Sequence, residues 1–140
     1  MYFKPLLLPL MAQVLLTFIV LYTLARQRVS EAKRKKIHPQ RTKVRSQSRE
    51  VFTDAEATAD NYNNQLESPV LFYVAILLTL MLMIQDHVIV ALAWTFVASR
   101  FVHAFIHITY NQVMHRFFVF IFGSLVLFAI WFRLGWIIFQ

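Results

Sequence analysis

Apolar residues fill four long blocks of the chain, broken by one long polar segment and two short ones. The first block, Pro5 to Ala25, holds 21 residues without a charge. As a helix rising about 1.5 Å per residue it spans about 31 Å, which matches a hydrocarbon core of about 30 Å. The pattern therefore predicts helix 1 over about residues 5–26, with Pro5 and Pro9 in its first turns, where a missing backbone donor does little harm. From Gln27 to about Asn63 the chain is polar, and a loop is predicted over about 27–63. Ser68 to Gln85 is an uncharged run of 18 residues, just long enough to span, so helix 2 is predicted over about 66–85. Asp86-His87 makes a tight hairpin turn to helix 3, about 87–110, and helix 4 covers about 115–138, with Arg133 close enough to its far end to snorkel out. The expected fold is all-α, an integral membrane four-helix bundle forming a single domain over 1–140, without internal repeats.

Composition agrees with that pattern. With 59% apolar residues and a mean hydropathy of +0.56, the 140-residue chain carries more hydrophobic mass than a soluble core of this size can bury. There is no cysteine, which excludes disulfides, thiolate metal ligands and a protein thiol nucleophile. Any thiol chemistry has to use a thiol brought in. A net charge of +7 raises nucleic acid as a partner, but ten of the fourteen Lys and Arg fall between Arg26 and Arg49, directly after an apolar block. That placement points to a membrane surface and excludes nucleic acid as the partner, and the run Lys33 to Lys36 reads as a topology signal that also touches anionic lipid. The first block is longer than a signal-peptide core and is followed by a stop-transfer pattern, so it is expected to be retained. The short flanks set the orientation. The loop after helix 1 holds ten basic residues, the turn after helix 3 holds Arg116, and the hairpin turn holds none. Both termini are expected outside and the two basic connections in the cytoplasm, with Trp131 and Trp136 near the outer interface.

Ionisable side chains inside hydrocarbon are costly unless paired or wetted, so those present are the candidate chemistry. Asn64 and Glu67 are three apart at the start of helix 2 and share a face. On helix 3, Arg100, His103, His107 and Tyr110 follow at i, i+3, i+7 and i+10, within about 80° of arc, one polar stripe on an otherwise apolar helix. Arg116 opens helix 4. All of these map to the cytoplasmic half, where the cations of Arg100 and Arg116 can face the carboxylate of Glu67. The same residues allow plainer roles: Arg100 and Glu67 as a structural ion pair, His115 and Arg116 as interfacial residues, Met81, Met83 and the Phe-rich stripe of helix 4 as packing or lipid contacts. His103 and His107 at i, i+4 have the spacing of two metal ligands on one helix, but no second histidine pair exists among the five histidines, so no metal is expected.

The order Asn64-x-x-Glu67, Arg100-x-x-His103, then Arg116 resembles the MAPEG family, the membrane-associated proteins of eicosanoid and glutathione metabolism. The likeness covers nearly the whole chain, and the stretches Glu67-Ser68-Pro69-Val70-Leu71-Phe72-Tyr73 and Arg100-Phe101-Val102-His103 look like bacterial members in particular. The resemblance implies a homotrimer of four-helix bundles in a bacterial inner membrane, with glutathione as co-substrate bound between neighbouring subunits. It implies glutathione contacts for Asn64, Glu67, Arg100, His103 and Arg116, with Arg26 or Arg28 contributing from the end of helix 1 and the polar stripe extending to His107 and Tyr110. Arg116 is the choice for activating the thiol, because a guanidinium and a helix N-terminus both favour the thiolate. Three positions depart from the pattern: Asp60 stands where active members carry an arginine, His107 where tyrosine is frequent, and Phe120 where a hydroxyl is found. Three functions follow in order: a glutathione-dependent transferase or peroxidase acting on lipophilic electrophiles, a non-catalytic relative that binds a lipid or another anionic ligand, and a small proton-coupled transporter built on Glu67. The transporter ranks last, because Glu67 sits at a helix start beside the basic loop and not at mid-membrane.

Overall fold

The computed structural model of the chain describes residues 4–140; the first three residues of the expected 1–140 domain lie outside it. It contains six α-helices, α1 (Lys4–Lys35), α2 (Arg45–Val51), α3 (Glu56–Gln65), α4 (Ser68–Met81), α5 (His87–Ile108) and α6 (Val113–Ile138), with a 3-10 turn at Pro39–Thr42. Four segments are long and apolar enough to cross a membrane: Pro5–Lys35, Glu56–Met81, His87–Ile108 and Val113–Ile138. The chain is therefore an integral membrane protein with an all-helical four-helix fold.

Several boundaries differ from the sequence pattern, for identifiable reasons. Helix α1 runs nine residues past the predicted end at 26, to Lys35. The extension is built from good helix formers, includes a Glu31–Lys35 pair at i, i+4, and places Lys33, Arg34 and Lys35 against the negative end of the helix dipole. It stops where Lys36 turns left-handed at φ 51°. Charge marks where the lipid ends, not where the helix does. The predicted loop over 27–63 is accordingly mostly helical, and its last part, where α3 begins, belongs to the second span.

That span is broken between α3 and α4. A helix continuing through Pro69 would lose the bond to the Gln65 carbonyl and clash with it, so the chain turns at Leu66 and Glu67, where the Glu67 backbone has φ −98° and ψ −94°. Helix α4 ends early, at Met81, in a left-handed cap. Met83 has φ 54°, and its N–H and that of Ile84 return to the carbonyls of Leu80 and Thr79 at 3.1 and 3.0 Å.

The bundle has two different ends. Near the α4–α5 hairpin the interior is apolar, with Phe72, Ile76, Ile89, Phe96, Ile130 and Leu134 fully enclosed and the rings of Phe72 and Phe96 stacked at 4.7 Å. Toward the long connection the interior turns polar. Outside, α6 presents Phe118, Phe122, Leu125, Phe128 and Phe132 while burying Gly123, Val126, Leu127, Ile130 and Leu134, and an exposed aromatic face of this length requires lipid or a further subunit around it. Gly123 permits the close approach of α6 to α5, because a Cβ there would stand 2.7 Å from the Ser99 hydroxyl oxygen.

The hairpin end is tied by an ion pair. The Asp86 carboxylate caps α5 by accepting from the Ile89 N–H at 2.8 Å, and it also accepts from Arg133 Nη2 at 2.7 Å and Nε at 3.2 Å. Arg133 thus closes α6 onto the hairpin instead of only snorkelling to the surface. Partial burial works to raise the Asp86 pKa, but the Arg133 guanidinium and the Ile89 and Val88 amides outweigh it and hold the carboxyl below its ordinary value. A lowered carboxyl pKa contributes stability above the unfolded value and loses it as pH falls through the folded one. Detergent-solubilised protein should therefore lose melting temperature between about pH 5 and about pH 3, and Asp86→Asn, which keeps a capping oxygen, should flatten that decline. Equal slopes for the two proteins in a thermal melt series would show that the pair contributes nothing to stability.

Candidate functional site

The polar interior is assembled from three helices. On α5, Arg100, His103 and His107 lie on one face that turns wholly inward, with exposures of 1%, 3% and 2%. On α3, Asn61 and Gln65 are one turn apart and both fully buried. Gln13 of α1 completes the set: its Nε2 donates to Gln65 Oε1 at 2.9 Å, Gln65 Nε2 donates to Asn61 Oδ1 at 3.3 Å, and Asn61 Nδ2 donates to the Ala104 carbonyl oxygen at 3.3 Å. This amide chain links α1, α3 and α5 through hydrocarbon depth, where each polar group needs an internal partner.

The break at Leu66–Glu67 gives Arg100 its acceptor. In an unbroken helix the Asn64 carbonyl would accept from Ser68; here it is one of the free carbonyls at the end of α3, and Arg100 Nη2 donates to it at 3.3 Å. The guanidinium therefore meets the negative end of a helix dipole.

Next to it lies a pocket of about 250 Å³ lined by Asn64, His103, Val113, Arg116, Phe117 and Phe120. His103 Nδ1 is buried there without a hydrogen-bond partner, and its ring lies 6.1 Å from that of Phe120 and 5.7 Å from that of His107, between centroids. Arg116 sits in the first turn of α6. Its Nη1 donates to Asn111 Oδ1 at 2.6 Å, and Asn111 occupies the α5–α6 turn at φ 47°, a conformation asparagine tolerates well. The guanidinium is thus aimed by the turn that precedes its own helix. The pocket offers a cation, an unpartnered imidazole and apolar walls, which suits a small anionic or thiolate group next to an apolar reactant.

The sequence-selected residues divide into two groups. Asn64, His103 and Arg116 line the pocket, with Arg100 and His107 buried along the same face of α5. Glu67 is exposed, and among the described residues neither Arg100 nor Arg116 has a carboxylate within ion-pair distance. The expected convergence of both arginines on Glu67 is therefore not formed within one chain, because the turn at Leu66–Glu67 takes that side chain off the inward face of α3. Tyr110 also leaves the stripe. Helix α5 ends at Ile108, so the extrapolation to i+10 fails, and Tyr110 is exposed with its hydroxyl 3.2 Å from His115 Nδ1. On α1, Arg28 holds its guanidinium over the Phe52 ring at 5.7 Å, whereas Arg26 covers Tyr22 at 5.8 Å and lines a separate groove. Asp60 accepts from Arg49 Nη2 at 2.8 Å, so a basic side chain of α2 stands beside the acidic departure. Among the described residues no third potential ligand joins His103 and His107 as a metal site.

Sequence reasoning passed over Gln13, Asn61, Gln65 and Asn111. The signal was available for three of them: a lone amide in an uncharged 21-residue block, and two amides at i, i+4. A model of the MAPEG family matches residues 6–136 of the chain. No curated protein and no solved structure matches it.

Proposed function

The chain belongs to the MAPEG family, the membrane-associated proteins of eicosanoid and glutathione metabolism, and from that premise we propose that it is a membrane-bound glutathione-dependent transferase or peroxidase acting on lipophilic electrophiles. The observation that carries this is the pocket where Asn64, His103 and Arg116 meet at the start of α6. The Arg116 guanidinium, engaged through Nη1 only, has N–H groups left for an anionic peptide and its sulfur, and the His103 ring lines the same pocket. At about 250 Å³ the pocket falls below the roughly 300–1,000 Å³ of most small-molecule sites, so a tripeptide needs walls from elsewhere. A neighbouring subunit of a homotrimer supplies them in this reading, with Arg28, Glu67 and Tyr110 contributing at its edges from outside the pocket of one chain.

Glutathione is the co-substrate and brings the thiol that the protein lacks. Arg116 lowers the thiol pKa by stabilising the anion, and the released proton passes to solvent. For transfer, the thiolate attacks the electrophilic carbon of a hydrophobic molecule arriving laterally from the bilayer; the carbon–sulfur bond forms as the leaving group departs with its electron pair, or as an activated double bond takes the pair and then a proton. For peroxide reduction, the sulfur attacks oxygen, the O–O bond breaks, the alcohol leaves after protonation, and a second glutathione yields the disulfide and water. In this reading the membrane is a bacterial inner membrane, with the termini outside and the polar pocket on the cytoplasmic side, where glutathione is available.

Phe120 in the pocket wall supports a second outcome, a relative that binds an anionic or lipid ligand without turnover. Titration of purified detergent-solubilised protein with glutathione, followed by equilibrium binding and thiolate absorbance near 240 nm, separates them. Saturable binding with a thiolate signal is expected. Binding without that signal supports the non-catalytic relative, and no binding at about millimolar glutathione, a free energy near −4 kcal/mol, removes the proposal.

A further inference from the structure

Among the polar side chains in the uncharged block of α1, Gln13 alone is fully buried. It stands at one end of the amide chain, and at the other end is the Ala104 carbonyl, a group that can only accept. That end fixes every amide before it. Asn61 has to turn Nδ2 to Ala104, which leaves its Oδ1 for Gln65 Nε2, and Gln65 Oε1 is then left for Gln13 Nε2. Reversing any one of the three amides sets oxygen against oxygen. Gln13 is therefore the first donor of the chain, and its own Oε1 is the acceptor left without a partner. Lipid offers no group to replace a lost link.

Gln65, which Gln13 holds, is the last residue of α3. Next to it, Asn64 lines the pocket and offers its carbonyl oxygen to Arg100 Nη2. The turn at Leu66–Glu67 deprives this end of α3 of a helical continuation, so the backbone there relies on the Leu66 N–H bond to the Asn63 oxygen at 2.9 Å and on side-chain tethers. Two such tethers run from α1 to the two ends of α3. The almost fully enclosed Glu31 carboxylate accepts from the Asp54 and Ala55 N–H groups at 3.1 and 3.2 Å and holds the start. Gln13 holds the end. At about 1.5 Å per residue the two anchor points are about 15 Å apart, and only the Gln13 tether adjoins the pocket. Gln13 itself lines no part of it.

We propose that Gln13 is a positioning residue of the glutathione site: by holding Gln65 it fixes the end of α3, and with it the backbone oxygen of Asn64 that orients Arg100. The inference rests on the glutathione reading and adds to it a residue that touches neither the pocket nor the ligand. Small displacements of a binding group are costly, so a tether of modest strength has a measurable effect on affinity.

Equilibrium binding of glutathione to the full chain in detergent tests this, at a temperature where thermal melts show each variant folded. Gln13→Met keeps the side-chain length and removes the donor; it should weaken binding about fivefold. Gln13→Asn keeps an amide that stops a methylene short of Gln65 and should weaken it about twofold, which decides the matter if Gln13→Met does not fold. Ile130→Ala opens a cavity at the apolar end of the bundle and should lower the melting temperature with the Kd unchanged. In an Arg100→Met background, Gln13→Met should change the Kd by less than twofold, because the group it orients is gone. Unchanged affinity in the Gln13 variants overturns the proposal. So does an equal loss in Ile130→Ala, which means that affinity follows stability, or a full fivefold loss persisting in the Arg100→Met background, which means that Gln13 acts elsewhere. No binding by the wild type removes the glutathione reading itself, and this inference with it.

Discussion

Replacing Arg116 by alanine should lower kcat/KM for glutathione conjugation by about 10²- to 10³-fold, the range for removing one preorganised donor from a developing or stabilised anion. The side chain lines the pocket, opens α6 where the helix dipole favours negative charge, and is held by Asn111. Loss of activity alone does not separate thiol activation from simple binding, so the pH profile is the deciding readout. If Arg116 stabilises the thiolate, the alkaline-rising limb of kcat/KM should move in Arg116→Ala toward the free thiol value of about 8.5, and Arg116→Lys should recover part of the shift while losing the planar fork. Asn111→Ala, which frees the guanidinium without removing it, should give a smaller loss in the same direction. A variant within tenfold of wild type with an unmoved profile would place thiol activation on another group.

The four spans were legible because lipid demands uninterrupted apolar runs of helix length, and that demand leaves a mark in any sequence. The polar residues of one helix were legible to the same degree: Arg100, His103 and His107 keep their helical spacing and turn inward together. Contacts between elements leave no such mark. Glu67 was expected to meet Arg100 and Arg116, and it is displaced by the Pro69 break, a two-residue turn that period counting reads as helix. Tyr110 was assigned to the stripe by extending α5 past its end at Ile108. The connection after α1 reads as loop because it is charged, while its composition favours helix. Arg133 was given the snorkelling role of a terminal cation, and its pairing with Asp86 crosses 47 positions of sequence, which no local pattern reveals.

The amide chain shows another limit. Gln13, Gln65 and Asn61 are uncharged, so a search for ionisable groups in hydrocarbon passes over them. Their bonds are individually modest, about 0.6 kcal/mol each by the measured average for membrane bundles. Together they fix α3 against α1 and α5, and thereby the carbonyl of Asn64 that Arg100 reaches. Structure and proposed chemistry are coupled at that carbonyl.

Arg100 itself yields the sharpest separation of stability from function. It is 1% exposed, its Nε lacks a partner, and its one hydrogen bond, at 3.3 Å, goes to a backbone oxygen. Glu67 acts on it only from beyond ion-pair distance. A charge buried this way costs several kcal/mol, and one weak bond with a helix terminus offsets only part of that. Replacement by an apolar side chain of similar length should remove the penalty without opening a cavity. Arg100→Met is therefore expected to raise the melting temperature of the detergent-solubilised protein by several degrees, reflecting roughly 1–4 kcal/mol, while weakening glutathione binding at least tenfold. Arg100→Ala, which leaves a void, should lose binding equally but gain no stability. A lower melting temperature in Arg100→Met with binding intact would make Arg100 a structural element of the bundle. The opposite pair of results identifies it as a residue the fold keeps at its own expense, for a ligand that supplies the missing negative charge.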